Sequence, residues 1–199
     1  DLEVHNISPK KLVSVLKRFG QPNSVGRSFQ VWILNIEGLH VDISLSNASS
    51  LEEACRRRDL RINALVYDPL QDKVIDFFGG VEDIKQKILV ETDPNSFAED
   101  PLRVLRVAQL SARFGFTISP SLQTLCREVP LAQLPPERVL RELEKSWLKP
   151  SNPSIAIQEL LALKVIEKYF HSWTGLECPE VQASIDRGKE LCTNHDGWN

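Results

Sequence analysis

Methionine is absent from the 199 residues, and cysteine (4), glycine (9) and tyrosine (2) are scarce. The four cysteines, Cys55, Cys126, Cys178 and Cys192, have neither the close pairing of a disulfide scaffold nor the spacing of a zinc site. They read as isolated thiols of a reducing compartment, and the cytoplasm is the expected location. No apolar run approaches the ~18 residues that cross a membrane, and no signal-peptide pattern opens the chain, so no membrane partner is expected. Excess positive charge is also lacking. Lys plus Arg number 24 against 27 Asp plus Glu, a net charge of -3, which argues against a generally basic nucleic-acid binder but leaves room for a local basic stripe. With no methionine and an opening of Asp1-Leu2-Glu3-Val4, the chain reads as a piece of a longer protein that starts inside a strand.

What is present is an ordinary globular composition, 42% hydrophobic and 26% charged. Leu2 to Val4 predicts a strand end. Ser8-Pro9 predicts the start of a helix from Lys10 to Phe19, with Leu12, Val15, Leu16 and Phe19 on one face and Gly20 ending it. Strands are expected over Ser28–Ile36 and Leu39–Leu45, the second facing Val41, Ile43 and Leu45 one way and His40, Asp42 and Ser44 the other. A helix is expected from Leu51 to Ala64, a turn at Tyr67-Asp68-Pro69, a strand over Lys73–Phe77, a short helix over Val81–Gln86 and an extended Ile88-Leu89-Val90. From Phe97 onward strand signals vanish. Helices are expected near Pro101–Phe114, Pro120–Glu128, Pro135–Leu148, Ser154–Leu163 and Val181–Cys192, with prolines marking several N-termini. The fold class is therefore α+β, a mixed-sheet head followed by helices.

Three blocks carry chemistry. Arg57-Arg58-Asp59, with Asn63 four residues on, offers guanidinium donors for phosphate and a carboxylate and amide suited to ribose hydroxyls; alone, it is equally a surface helix with i,i+4 pairs. Asp76-Phe77-Phe78-Gly79-Gly80-Val81-Glu82-Asp83 places two conformationally free glycines between carboxylates, and alone it reads best as a strand-turn-helix junction. In Glu99-Asp100-Pro101-Leu102-Arg103-Val104-Leu105-Arg106, Asp100, Arg103 and Arg106 recur every three residues along one helix face. They suit the hydrogen-bonding edge of a base, and equally a capped helix with an i,i+3 pair.

In this order the blocks closely resemble the class II CCA-adding tRNA nucleotidyltransferases and their bacterial poly(A) polymerase relatives, over nearly all of Asp1 to about Phe170. The resemblance implies a ribose motif at Arg57, Arg58, Asp59 and Asn63, and a hinge at Asp76, Gly79, Gly80 and Asp83. It implies a protein template for C and A at Glu99, Asp100 and Arg103, with Arg106 beside them as a further nucleotide-binding residue. Leu134-Pro135-Pro136-Glu137-Arg138 with Glu142-Leu143 is similar to the helix supporting that template. Asp1 and Asp42 are then two of the family's catalytic carboxylates, holding Mg2+ for transfer to the tRNA 3′ end from CTP and ATP without a nucleic-acid template. The family's preceding Gly-Gly loop and first metal-binding Asp are missing. The fourteen residues between Asp42 and Arg57 are also fewer than in relatives: either the loop is naturally short, as in relatives that add only CC, or, the reading favoured by the missing N-terminus, residues have been dropped. His195-Asp196 is too isolated to imply a phosphohydrolase. The implied division is a nucleotidyltransferase head over 1–92, incomplete at its N-terminus, a helical neck with the base-selecting motif over 93–149, and the start of a helical body over 150–199. A CC-adding or A-adding specialist, a poly(A) polymerase, or a non-catalytic RNA-binding derivative would share the same blocks, and the oligomeric state is not legible.

Overall fold

Ser8 caps the first helix as its sequence predicts. Its backbone is extended (φ -75, ψ 148), and its side-chain oxygen accepts from the Lys11 N–H at 3.4 Å. The computed structural model describes residues 2–25, 31–131 and 134–193, and the chain folds as two compact units, Asp1–Ala54 and Cys55–Asn199. The first holds β1 (Leu2–Val4), α1 (Pro9–Leu16), β2 (Asn23–Val25), β3 (Val31–Ile36) and β4 (Leu39–Leu45). Its sheet runs β1-β4-β3-β2, with β1 parallel to β4 and the other pairs antiparallel, so it is mixed as expected. Leu12 and Leu16 of α1 pack with Trp32, Leu34 and Ile43 to form this unit's core. The helix ends three residues before the expected Phe19. After Leu16 the bonds tighten to Arg18 N–H on Val15 O and Phe19 N–H on Leu16 O, and the Phe19 ring is left in solvent at 61% exposure.

α2 (Leu51–Arg56) carries the chain into the second unit. The single helix expected over Leu51–Ala64 does not form. Leu60 turns extended (φ -126, ψ 151), makes an antiparallel bridge with Glu91 and is fully buried, and only a 3-10 turn over Arg61–Asn63 follows. Arg61 N–H donates to Val90 O at 3.0 Å and Thr92 N–H to Asp59 O at 3.3 Å. A tertiary bridge that buries a leucine outweighs the local helical preference here.

β5 (Val66–Asp68) and β6 (Lys73–Ile75) form a hairpin where only the second strand was expected. α3 (Gly80–Gln86) and β7 (Ile88–Leu89) follow, then α4 (Pro94–Ala98), α5 (Leu102–Phe114), β8 (Thr117–Ile118), α6 (Pro120–Glu128), α7 (Pro136–Leu148), α8 (Pro153–Ala162), α9 (Val165–Tyr169) and α10 (Pro179–Thr193). The expectation that strands end before Phe97 is corrected by β8. Its two β-branched residues pair in parallel with β7, through Thr117 N–H on Lys87 O and Ser119 N–H on Leu89 O. α5 is the central helix: Val104, Leu105, Val107 and Ala108 are essentially inaccessible to solvent and pack with Leu60, Phe97, Leu143 and Leu160. Among the described residues no helix is long and apolar enough to cross a membrane.

Candidate functional site

The burial of α5 on one side leaves Arg103 and Arg106 on its open side, where α7 lies alongside. A cleft of about 390 Å³ opens there, lined by Arg57, Arg58, Asp59, Asp100, Leu102, Arg103, Arg106, Arg138, Arg141, Glu142 and Lys145. Seven cationic side chains face three carboxylates in it, although the chain as a whole is net acidic. Such a cleft concentrates positive potential against an anionic ligand.

At its inner end Asp59, 7% exposed, accepts three hydrogen bonds. Oδ1 takes the Leu60 N–H at 2.9 Å and the Asn63 side-chain amide at 3.0 Å, and Oδ2 takes Arg106 Nε at 2.8 Å. Asp59 and Asn63 therefore meet as expected, but across a bridge and a 3-10 turn rather than along a helix. Burial pushes the Asp59 carboxyl up, but the Arg106 charge and the bonds from Asn63, Arg106 and Leu60 outweigh it and hold the pKa below the usual carboxylate value. For Arg106, burial works against the charge. Asp59, then Glu142 and Asp100, more than offset it, so its pKa is raised.

Nearer the mouth, Asp100 accepts the Leu102 N–H at 3.2 Å on Oδ1 and Arg138 Nη2 at 2.7 Å on Oδ2. Arg103 is pinned between two carbonyls, with Nη1 on Ser96 O and Nη2 on Arg57 O, both at 2.6 Å. It thus ties α4 to the Arg57-Arg58-Asp59 segment. Arg141 and Lys145 were not anticipated from the sequence. With Arg138 they recur at i, i+3 and i+7 on α7, a spacing that signals a shared face but cannot say what that face meets.

The second block, with Gly79 and Gly80, sits at the β6–α3 junction. The Asp76 carboxylate caps α3, Oδ1 accepting from the N–H groups of Phe78, Gly79 and Gly80 and Oδ2 from Val81, all within 3.2 Å. Burial raises its pKa, and these four donors more than reverse the effect, leaving it lowered. Gly79 is left-handed (φ 85), and Gly80 lies against the backbone of Arg61. Asp83 is 7% exposed, with Oδ2 buried and unpartnered among the described residues. Burial raises its pKa in spite of Arg61.

In the first unit Asp42 is exposed on β4, opposite Ile33. Asp1 and the His195-Asp196 doublet lie outside the described residues. Among the described residues no group of three or more His, Cys, Asp or Glu side chains could hold a metal ion. Asp42 supplies one hard anionic oxygen donor, which fits a single Mg2+ ligand.

Comparison with known proteins gives concordant matches. The poly(A) polymerase head domain matches residues 17–90. The multifunctional CCA protein of Pasteurella multocida (strain Pm70) is 43% identical over 135 residues, covering 64% of this chain and 31% of its own length. The chain thus spans about a third of the length of the curated relatives it matches. Among solved structures, the Thermotoga maritima CCA-adding enzyme complexed with tRNA-CCA aligns over 100% of this chain and 51% of its own, with a TM-score of 0.78 and 26% identity. A CCA-adding enzyme in complex with ATP aligns with the same coverage, score and identity.

Proposed function

The chain belongs to the family of CCA-adding tRNA nucleotidyltransferases and bacterial poly(A) polymerases, and from that premise we propose that the full-length protein adds C and A to the 3′ end of tRNA. CTP and ATP are the donors, and no nucleic-acid template is used. The observation that carries this is the convergence of Arg57, Arg58, Asp59, Asp100, Arg103 and Arg106 on one cleft. Arg57 and Arg58 supply forked donors for phosphate oxygens, and Asp59, oriented by Asn63, accepts from ribose hydroxyls. Asp100 and Arg103 place an acceptor beside a donor. Cytosine and adenine both present an exocyclic amine beside a ring-nitrogen acceptor, which complements that pair, whereas uracil and guanine present the reverse.

The triphosphate chemistry calls for Mg2+, which when bound would activate the RNA 3′-hydroxyl and brace the leaving pyrophosphate. Asp42 and Asp1 are the proposed ligands. We assign the head to 1–92, the neck to 93–149 and the start of the body to 150–199, with Asp76, Gly79, Gly80 and Asp83 as a hinge and the cytoplasm as the compartment.

The test is incubation of the full-length protein with tRNA ending before CCA, supplying CTP or ATP singly and then together. Ordered addition of C, C and A supports a complete CCA-adding enzyme, and C alone or A alone identifies a specialist. Incorporation of A into arbitrary RNA would replace tRNA maturation with poly(A) synthesis, and no incorporation with retained RNA binding would leave a binding module.

A further inference from the structure

Glu142 is a buried group of the cleft that the proposed chemistry leaves unused. It projects from α7 and is 4% exposed, yet only one of its carboxylate oxygens is bonded. Oε1 accepts from Lys145 Nζ at 2.8 Å, while Oε2 is buried with no hydrogen-bond partner among the described residues. A buried carboxylate oxygen without a partner is rare in folded proteins because desolvation is not repaid. Arg106 lines the same cleft from α5, and of its five N–H donors only Nε is engaged among the described residues, on Asp59.

Counting acceptor sites on Asp59 shows why a second anion matters. A carboxylate offers about four lone-pair sites. Three are filled, by Leu60, Asn63 and Arg106, so a single site is open. A ribose donating both vicinal hydroxyls needs two. One existing donor has to leave: Leu60 donates from the backbone and is held by the turn, and of the two side-chain donors, Asn63 and Arg106, Arg106 is the cation with a second anion, Glu142, in the same cleft.

We propose that Glu142 is the alternate seat of Arg106: when both hydroxyls of a ribose engage Asp59, the guanidinium releases Asp59 Oδ2 and pairs with Glu142 Oε2. Glu142 is then a positioning residue that acts through Arg106 and touches no substrate. The negative charge of Glu142 already favours the charged form of Arg106 across the cleft, after the larger effects of burial and of Asp59. The inference rests on the nucleotide-binding role of the cleft and adds to it a means of sensing the 2′-hydroxyl. A 2′-deoxynucleotide has one hydroxyl fewer and fits the open site with Arg106 still in place.

The test uses the full-length protein, with tRNA and either ATP or 2′-deoxyATP, and compares KM and kcat for wild type, Glu142→Gln and Lys145→Met. Glu142→Gln keeps the shape and removes the charge. It is expected to raise KM for ATP about tenfold, the loss of roughly one charge-assisted hydrogen bond. It should move KM for 2′-deoxyATP less than about twofold and leave kcat for both nearly constant. Lys145→Met frees Oε1 and is expected to lower KM for ATP. An equal rise for the two nucleotides, or Lys145→Met mimicking Glu142→Gln, would overturn the exchange in favour of a simple structural ion pair. A wild-type protein that uses neither nucleotide would instead remove the nucleotide role of the cleft, and the exchange with it.

Discussion

Gly79 and Gly80 are neighbours, yet they are fixed by different forces, and substitution separates them. A Cβ built on Gly80 lies 2.3 Å from Arg61 O, 2.8 Å from Arg61 C and 3.2 Å from Leu65 Cδ2. Carbon–oxygen contacts ordinarily settle at about 3.3 Å or more, so α3 has to move away from the 3-10 turn by about 1 Å. Overpacking of this kind costs about 1–3 kcal/mol. The helix preference of alanine over glycine returns at most about 1 kcal/mol. Gly80→Ala is therefore expected to destabilise by about 1–2 kcal/mol, a fall in Tm of roughly 2–8 °C for a chain of this size. Gly79 has open space around its Cβ position but a left-handed backbone (φ 85), so there the cost is conformational, about 1 kcal/mol for alanine. Asparagine tolerates that conformation and should recover much of the loss at Gly79 but none at Gly80. Urea unfolding followed by tryptophan emission, with Trp147 and Trp173 in this unit, measures both series. A Gly80→Ala protein as stable as wild type or more so would refute the close approach of α3 to Arg61.

Asp59→Asn should flatten the acid limb of stability. The folded pKa of Asp59 is lowered, so its contribution is complete above the unfolded value of about 4 and is lost as pH falls through the folded value. Wild type should then lose more stability than the variant between about pH 5 and 3 in unfolding curves; parallel curves would remove the stabilising role of the Arg106 pair. Arg138→Ala breaks a half-exposed pair with Asp100 and should cost less than about 1 kcal/mol in thermal unfolding, while reducing the preference for CTP and ATP over UTP and GTP in single-nucleotide incorporation. Arg103→Ala should lower that same preference more than it lowers tRNA affinity in filter binding, and an equal loss of affinity with unchanged selection would count against the base-reading role. Asp42→Ala in the full-length protein should abolish transfer with unfolding unchanged, because the side chain is exposed and contributes no core contact.

The helices of the second unit were legible because prolines and serines mark their starts and apolar residues repeat at helical spacing, as in Pro120–Glu128, which forms over the expected residues. The cleft residues Arg103 and Arg106 on α5 were legible for the same reason, their spacing placing them on one face, while Asp100 lies just ahead of the helix, where Pro101 marked its start. The Leu60–Glu91 bridge was not, since its partners are thirty-one positions apart and Leu60 sits in a run that looks helical. β8 escaped because a two-residue strand has too little length to show an alternating pattern. The cationic face of α7 was equally hidden. Arg138, Arg141 and Lys145 look like a solvated surface until α5 is laid beside them. The unpartnered Oε2 of Glu142 is a property of packing, with no local signature.

The two carbonyl bonds of Arg103 have a consequence for whatever ligand enters the cleft. An arginine side chain free in solvent carries about 2 kcal/mol of rotamer entropy, which a flexible reader must surrender each time it binds. Arg103 has surrendered much of it during folding, held by Ser96 O and Arg57 O before any ligand arrives. Nη1 also reaches Ser96 Oγ at 3.4 Å, so among the described residues it is Nη2 that keeps a second N–H for a partner. Preorganisation of this sort makes discrimination cheap and rigid: the guanidinium cannot swing to follow a mismatched base. Its orientation also becomes hostage to the Arg57 backbone, so a shift in that segment would retune the donor edge without any change to Arg103 itself.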